Sequence, residues 1–188
     1  MTARGRTPHK TSVLGIECGI GSVAPGDIHD LFYEWWKVFK LEGKGLLVGY
    51  RGGGRKKLLK QKYPSITEMS TLDLGGKDTD IIHDFTQPLV SYSTWFDWVF
   101  NQATLEHVID PVAILRNSVG VMKQGGLMFV HSVGPAFRYH PAPIDCYRFL
   151  IDVLVAWGEY LDLIIEDWLW THAHCFAVYR KKHGNLGT

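Results

Sequence analysis

The chain has almost no net charge, few cysteines and no long apolar run, and each absence narrows what it can be. Twenty Lys and Arg stand against 19 Asp and Glu, for a formal net charge of +1 over 188 residues. Dedicated polyanion binders usually show their electrostatic footprint in that balance, so nucleic acid is not the expected partner. The three cysteines, Cys18, Cys146 and Cys175, are an odd number without CxxC spacing, which fits reduced thiols better than a disulfide framework or a zinc knuckle. No segment approaches the ~20 consecutive apolar residues of a membrane span. The N-terminal stretch "MTARGRTPHKTSVLG" is polar and basic, with no apolar h-region. The expected setting is cytoplasmic, in a protein without a membrane span.

What is present suits one domain with a proper core: 46% of residues are hydrophobic and 21% charged, near the globular average. No internal repeat is visible. Residues 1–26 read as a flexible tail, 27–183 as a single domain and 184–188 as a second tail. The domain opens on an amphipathic helix over 27–40, with Asp27 as N-cap and Ile28, Leu31, Phe32, Trp35, Trp36 and Phe39 at helical spacing. Packing onto the domain is the simpler role for its two tryptophans.

From there strands and helices alternate. "GLLVG", "ITEMSTLDL", "TDIIHDF", "WFDWVFN" and "GGLMFVHSV" read as strands. "GRKKLLKQKY" and "DPVAILRNSVGVMK" read as helices, the second with Pro111 in its first turn. Unbroken apolar strands alternating with helices indicate a parallel sheet covered on both faces. The last third adds a helix around "YRFLIDVLVAWGEYL" and two strands, "LIIEDWLWT" and "HCFAVYRKK", close enough in sequence to pair antiparallel. Ligands of open α/β sheets bind beyond the carboxyl ends of the strands. Those ends carry 49–54, Asp73, Asp84, 101–107 and 131–135.

The first of them, "GYRGGG", is followed by "RKKLLKQK". It is no P-loop, because Arg55 and Lys56 stand where a lysine and a metal-binding hydroxyl are needed. Nor is it a nicotinamide-type GxGxxG, since Arg51 replaces the middle glycine. Its context is more telling: it joins a strand to a helix, and Asp73 ends the next strand about 20 residues on, the separation at which an acid reaches a ribose diol. The lysines that follow read as the wet face of the helix, with Leu58 and Leu59 inward and Lys56, Lys57, Lys60 and Lys62 in water. A competing glycine stretch, "VLGIECGIGS" at 13–22, lacks a helix start after it.

The segment "FDWVFNQATLEHVIDPVAILRNSVGVMKQGGLMFVHSV" resembles the second half of class I S-adenosylmethionine-dependent methyltransferases, and "YHPAPIDCYRF" resembles the segment that follows in a small methyltransferase-type-11-like branch. The resemblance covers roughly residues 45–180. It implies a Rossmann-like three-layer α/β sandwich, a mostly parallel seven-stranded sheet with an antiparallel C-terminal strand, and S-adenosyl-L-methionine as cofactor. Carried over position by position, Gly49, Arg51 and Gly53, with Tyr50 and Gly52 between them, match the loop at the methionine part of the cofactor. Asp73, with Leu74, matches the ribose-binding position. Asp84, with Phe85, matches the acid near the adenine, and Asn101 and Gln102 stand at the cofactor's edge. Two departures mark the loop: Leu47 stands where the family has an acid, and Arg51 stands for a glycine. Arg51 has a physical reading as a partner of the cofactor carboxylate.

Methyl transfer from a sulfonium needs alignment and exclusion of water more than a catalytic triad. A hydroxyl or amine acceptor also needs its proton removed, for which His107, His140 and Asp145 are the candidate catalytic groups. Arg138, Tyr147 and Arg148 are candidate acceptor contacts, each arginine with an alternative reading as a structural ion-pair partner. "HAH" at 172–174 puts two histidines on one strand face but suggests no third ligand, so no metal is expected. The expected partner is a small-molecule or glycan-like acceptor, and a short chain without a cap domain leaves room for a homo-oligomeric neighbour to complete the pocket. The alternative is a catalytically silent methyltransferase-like domain that acts as a binding or regulatory partner.

Overall fold

The computed structural model describes residues 34, 37–50 and 53–184. Seven strands form one sheet in the order β3-β2-β1-β4-β5-β7-β6. They are β1 (Gly43–Val48), β2 (Ile66–Asp73), β3 (Ile81–Ile82), β4 (Phe96–Gln102), β5 (Met122–Val133), β6 (Leu163–Trp170) and β7 (His174–Lys181). The pairs from β3 across to β5 are parallel, and β7 runs antiparallel to both β5 and β6. This is the expected Rossmann-like sheet with its reversed C-terminal strand. The third strand is shorter than "TDIIHDF" suggests: only two residues pair, at Leu72↔Ile81 and Asp73↔Ile82.

The helices that can be given a full range among the described residues are α1 (Gly53–Lys62), α2 (Pro111–Val121) and α3 (Ile151–Tyr160). The start of α2 is fixed by its sequence. Asp110 caps it by accepting a hydrogen bond from Ala113 N at 3.0 Å, and Pro111 occupies the first turn, where no intrahelical donor is lost. The expected N-terminal helix lies mostly outside the described residues; Glu34 and 37–39 are helical.

Strand side chains alternate between two cores, which is why the strands read as unbroken apolar runs. On one face Leu46, Val48, Met128, Val130, Cys175, Ala177 and Tyr179 pack with Ile114 and Leu115 of α2 and Leu154 of α3. On the other, Leu47, Trp98, Phe100, Phe129, Phe176 and Val178 pack with Leu59 of α1. Phe39 closes on that second core, its ring 6.0 Å from Phe129. The lysine-rich helix follows its sequence reading at Leu59, buried, and at Lys57, Lys60 and Lys62, exposed. Lys56 differs: it reaches Asp80, which also accepts from Thr71 N and Oγ1, so this lysine pins α1 to the end of β2. Among the described residues no helix is long and apolar enough to cross a membrane. Both described cysteines, Cys146 and Cys175, are free.

Candidate active site

The strand order reverses between β1 and β4, and beyond their carboxyl ends lies a cleft of about 310 Å³. Its floor and walls come from Val48, Gly49, Leu72, Asp73, Leu74, Asp84, Phe85 and Thr104, with Ala142 and Pro143 on the far side. This is where ligands of open α/β sheets bind.

Gly49 is built for close approach. Its φ is +72°, and a Cβ there would stand 2.2 Å from Thr104 Oγ1. The same hydroxyl donates to Val48 O at 3.2 Å or Gln102 O at 3.1 Å, so the ends of β1 and β4 are locked together around the glycine. Asp73 sits at the end of β2, almost buried, facing the cleft. Asp84 is exposed beside it; one of its oxygens accepts from Thr86 N and Oγ1, and these bonds hold its carboxyl below the usual carboxylate range.

The remaining cofactor candidates divide. Leu74 and Phe85 line the cleft, the first 63% exposed and the second buried. Gly53 opens α1. Arg51 and Gly52 lie outside the described residues. Tyr50 packs on the opposite core, with Leu59 and Met69. Asn101 is fully buried and donates to Ser118 Oγ at 3.1 Å, tying β4 to α2, and neither it nor Gln102 lines the cleft. Ala103, Thr104, His107 and Val108 occupy that edge instead. β4 runs through Gln102, so the chain leaves the strand only at Ala103, whose φ is +48°.

At the open end stands a polar wall. The short 3₁₀ turn Leu105–His107 places Glu106 inward, with no exposed surface, and His107 toward the cleft. Glu106 Oε2 accepts from Ser132 Oγ at 2.7 Å, and Glu106 O accepts from Cys146 N at 2.8 Å. His107 Nδ1 lies 2.6 Å from Ile144 O. His140 stacks edge-on against His107, ring centroids 4.8 Å apart, with Nε2 3.8 Å from Glu106 Oε1 and Nδ1 3.3 Å from Asp145 Oδ2. Asp145 is gripped by Arg148 through two nitrogens, one at 2.7 Å, and accepts from His140 N at 2.7 Å. The Arg148 bonds hold the Asp145 carboxyl well below the usual carboxylate range.

Arg148 also donates to the carbonyls of Phe137, Arg138 and Tyr147, so its guanidinium organises the 137–148 segment. The ion-pair reading of this arginine is the one its bonds favour. Tyr147 donates to Ile109 O at 2.8 Å and leans on Phe149, a packing role. Arg138 is exposed. The "HAH" pair does not share a strand face: His172 sits in the turn, and only His174 enters β7, where its Nδ1 lies 3.1 Å from His131 Nε2 on β5. Burial lowers the His174 pKa to about 4.

Comparisons with known proteins agree on architecture. The crystal structure of the [4+2]-cyclase SpnF superposes with a TM-score of 0.65 at 13% identity, covering 82% of both chains. A SAM-dependent methyltransferase from Archaeoglobus fulgidus gives 0.63 at 16% identity, over 82% of this chain and 93% of that one. The Burkholderia thailandensis 1,6-didemethyltoxoflavin-N1-methyltransferase, solved with 1,6-didemethyltoxoflavin and S-adenosylhomocysteine, gives 0.61 at 11% identity, over 82% and 84%. No family model matches the chain. A stretch of 54 residues is 32% identical to the ubiquinone biosynthesis O-methyltransferase of Parvibaculum lavamentivorans, covering 29% of this chain and only 21% of that enzyme's length. Likeness at these identities is a likeness of architecture, and at that level the chain has the fold of the class I S-adenosylmethionine-dependent methyltransferases.

Proposed function

We propose that the chain binds S-adenosyl-L-methionine in the cleft between β1 and β4 and catalyses methyl transfer to an acceptor that enters over the Glu106, His107 and His140 wall. The observation that carries this is Gly49: a positive-φ glycine, packed so tightly against Thr104 that no side chain fits, at the mouth of a cleft with carboxylates on the two following strand ends. When bound, the cofactor supplies a methyl group already activated on a sulfonium. The protein's own share is placement. Gly49 lets the backbone come close to the methionine part, Asp73 is positioned for the ribose hydroxyls, and Asp84 for the adenine edge. Leu74, Phe85, Val108 and Ile114 supply the apolar walls that exclude water.

The acceptor reaches the methyl group from the side of the histidines, and the displacement is in line. In this reading His107 and His140 are the groups that meet the acceptor's proton, and Asp145 positions His140 through its ring and its backbone N–H. A small molecule or glycan-like acceptor suits a wall rich in hydrogen-bonding groups with Ile109, Tyr139 and Ile144 exposed around it. A second copy of the chain over this open end is the homo-oligomeric form of the same proposal.

Calorimetric titration of S-adenosylhomocysteine into the full chain tests it. Binding in the micromolar range, weakened at least about tenfold by Asp73→Ala, is the expected result, since a hydrogen-bonded ribose contact of this kind contributes ~1.5–3 kcal/mol. Absence of binding to folded protein would leave the second reading, a methyltransferase-like domain without transfer activity. That reading has an observation behind it: the [4+2]-cyclase shows that this architecture is also found under a different chemistry.

A further inference from the structure

Glu106 Oε1 is a fully buried carboxylate oxygen with no hydrogen-bond partner, and its residue has no exposed surface. A polar atom in that position costs ~1–3 kcal/mol or more unless something completes it. What stands opposite are imidazoles: one donor atom each from Glu106, His107 and His140 lies within 4.8 Å of the other two. The Nδ1 atoms of both histidines are already engaged, that of His107 by Ile144 O at 2.6 Å and that of His140 by Arg138 O at 3.2 Å, with Asp145 Oδ2 at 3.3 Å. The Nε2 atoms are therefore the ones left for a further ligand, and that of His140 lies 3.8 Å from Glu106 Oε1.

We propose that Glu106, His107 and His140 form a divalent-metal site at the acceptor end of the cleft, selective for a first-row transition ion such as Zn²⁺, Mn²⁺ or Fe²⁺. Two imidazoles and one carboxylate on one side of an ion, with the other side open, is the donor set such ions take. Three donors no more than 4.8 Å apart leave a central ion at most about 2.8 Å from each, and side-chain rotations of well under 1 Å close that to the ~2.0–2.2 Å of a bound ion. Each ligand has the outer partner that metal ligands characteristically carry. Ser132 Oγ fixes Glu106, the Ile144 carbonyl fixes the His107 tautomer, and the Arg138 carbonyl at 3.2 Å, with the Asp145 carboxylate beside it, fixes that of His140. A lone structural histidine needs one such partner; three residues with three outer partners and one shared gap are a built site.

The site itself rests on geometry alone; its part in methyl transfer rests on the function proposed above. An acceptor hydroxyl bound to the ion loses its proton to solvent at a far lower pH than in water, because the cation stabilises the oxyanion. A bound ion would replace His107 and His140 in the proton-handling role given them above: as a Lewis acid it acidifies the acceptor, while an imidazole whose lone pair is on a metal takes no proton. The acceptor class becomes an oxygen ligand, a phenol or a diol with two adjacent oxygens that fill the open coordination positions.

Titration of Co²⁺ into the chelator-treated full chain, followed by visible absorption, tests the site. One ion per chain with d–d bands of an N/O site is expected. Glu106→Gln or His107→Gln should weaken it by about tenfold or more, and Asp145→Asn by about 10–100-fold through its contacts with the His140 ring and N–H. His174→Gln, at the other imidazole pair, should leave it unchanged. Circular dichroism confirms that each variant is folded, and the two glutamine variants stand in for one another if one is not. Absent d–d bands, or bands that survive Glu106→Gln and His107→Gln or vanish with His174→Gln, overturn the site. Titration of S-adenosylhomocysteine into the same metal-free wild-type chain reads the cofactor proposal separately: binding there without a Co²⁺ site sinks the metal alone, and a Co²⁺ site without that binding sinks the cofactor reading alone.

Discussion

Gly49 combines a backbone constraint with a steric one, and the two separate experimentally. Its φ of +72° disfavours any L-residue, and its Cα faces Thr104 at a distance that leaves 2.2 Å for a Cβ. Gly49→Ala is expected to weaken S-adenosylhomocysteine binding at least about tenfold, by moving the loop out of the cleft mouth. Adding Thr104→Ala should recover part of that loss and no more, because the second change relieves the contact and not the dihedral. Calorimetry on the two variants decides; full recovery would mean that φ carries nothing. His174 makes a different kind of prediction. Its pKa falls to about 4 in the folded chain, against 6.5 unfolded, because burial disfavours the imidazolium. The unfolded chain thus binds the extra proton first. Stability contributed by the neutral ring is whole above pH 6.5 and is lost as pH falls toward 4. His174→Gln should flatten the melting temperature against pH across that window, and an unchanged acid slope would contradict the assignment.

At the scale of elements, the helices and strands were legible because their signals are local. Asp110 and Pro111 announce α2, and apolar runs such as "LMFV" announce buried strands that feed two cores. The reversal of β7 was legible from the short connection between β6 and β7. The polar wall was only half legible. His107, His140 and Asp145 could be read as a group from strand-end position and resemblance, but Glu106 could not. Nothing local distinguishes a surface glutamate from one turned inward, and the 3₁₀ turn that buries it depends on Ser132, from a strand 26 residues away. Its one signal was position, an acid between an apolar residue and a histidine in "LEHV". Asn101 misleads for the same reason, since its partner Ser118 lies on a helix that sequence cannot fold back onto it. A strand-level prediction follows from Gly45. A Cβ there would stand 2.0 Å from the Trp98 ring on the neighbouring strand, and both residues are buried. Gly45→Ala should cost about 1–3 kcal/mol or more through overpacking, seen as a lower urea midpoint with an unchanged slope. A neutral result would mean that Trp98 repacks freely.

At the scale of the whole molecule, the cleft bridges two halves of the sheet that pair where the strand order reverses. Gly49, Asp73 and Asp84 belong to the β1–β2–β3 half, whereas Thr104, His107 and Pro143 belong to the half built on β4 and β5. The halves share four residue pairs from Gly45↔Trp98 to Val48↔Asn101, and α2 crosses from one to the other, with Ile114 in one core with Val48 and Leu72 and Asn117 donating to Phe85 O at 2.7 Å. A ligand in the cleft touches both, so its binding energy acts against any separation along that seam. Mass action sets the size: S-adenosylhomocysteine at 100 times its dissociation constant stabilises the folded chain by about 2.7 kcal/mol. For a chain of this length that corresponds to a melting temperature higher by about 5–11 °C. The rise should appear in one cooperative transition by both far-ultraviolet circular dichroism and tryptophan fluorescence, because the sheet is continuous across the seam. A ligand that sharpens two separate transitions into one would show that the halves melt independently without it. A ligand that binds by calorimetry but leaves the melting temperature unchanged would place its contacts away from the seam.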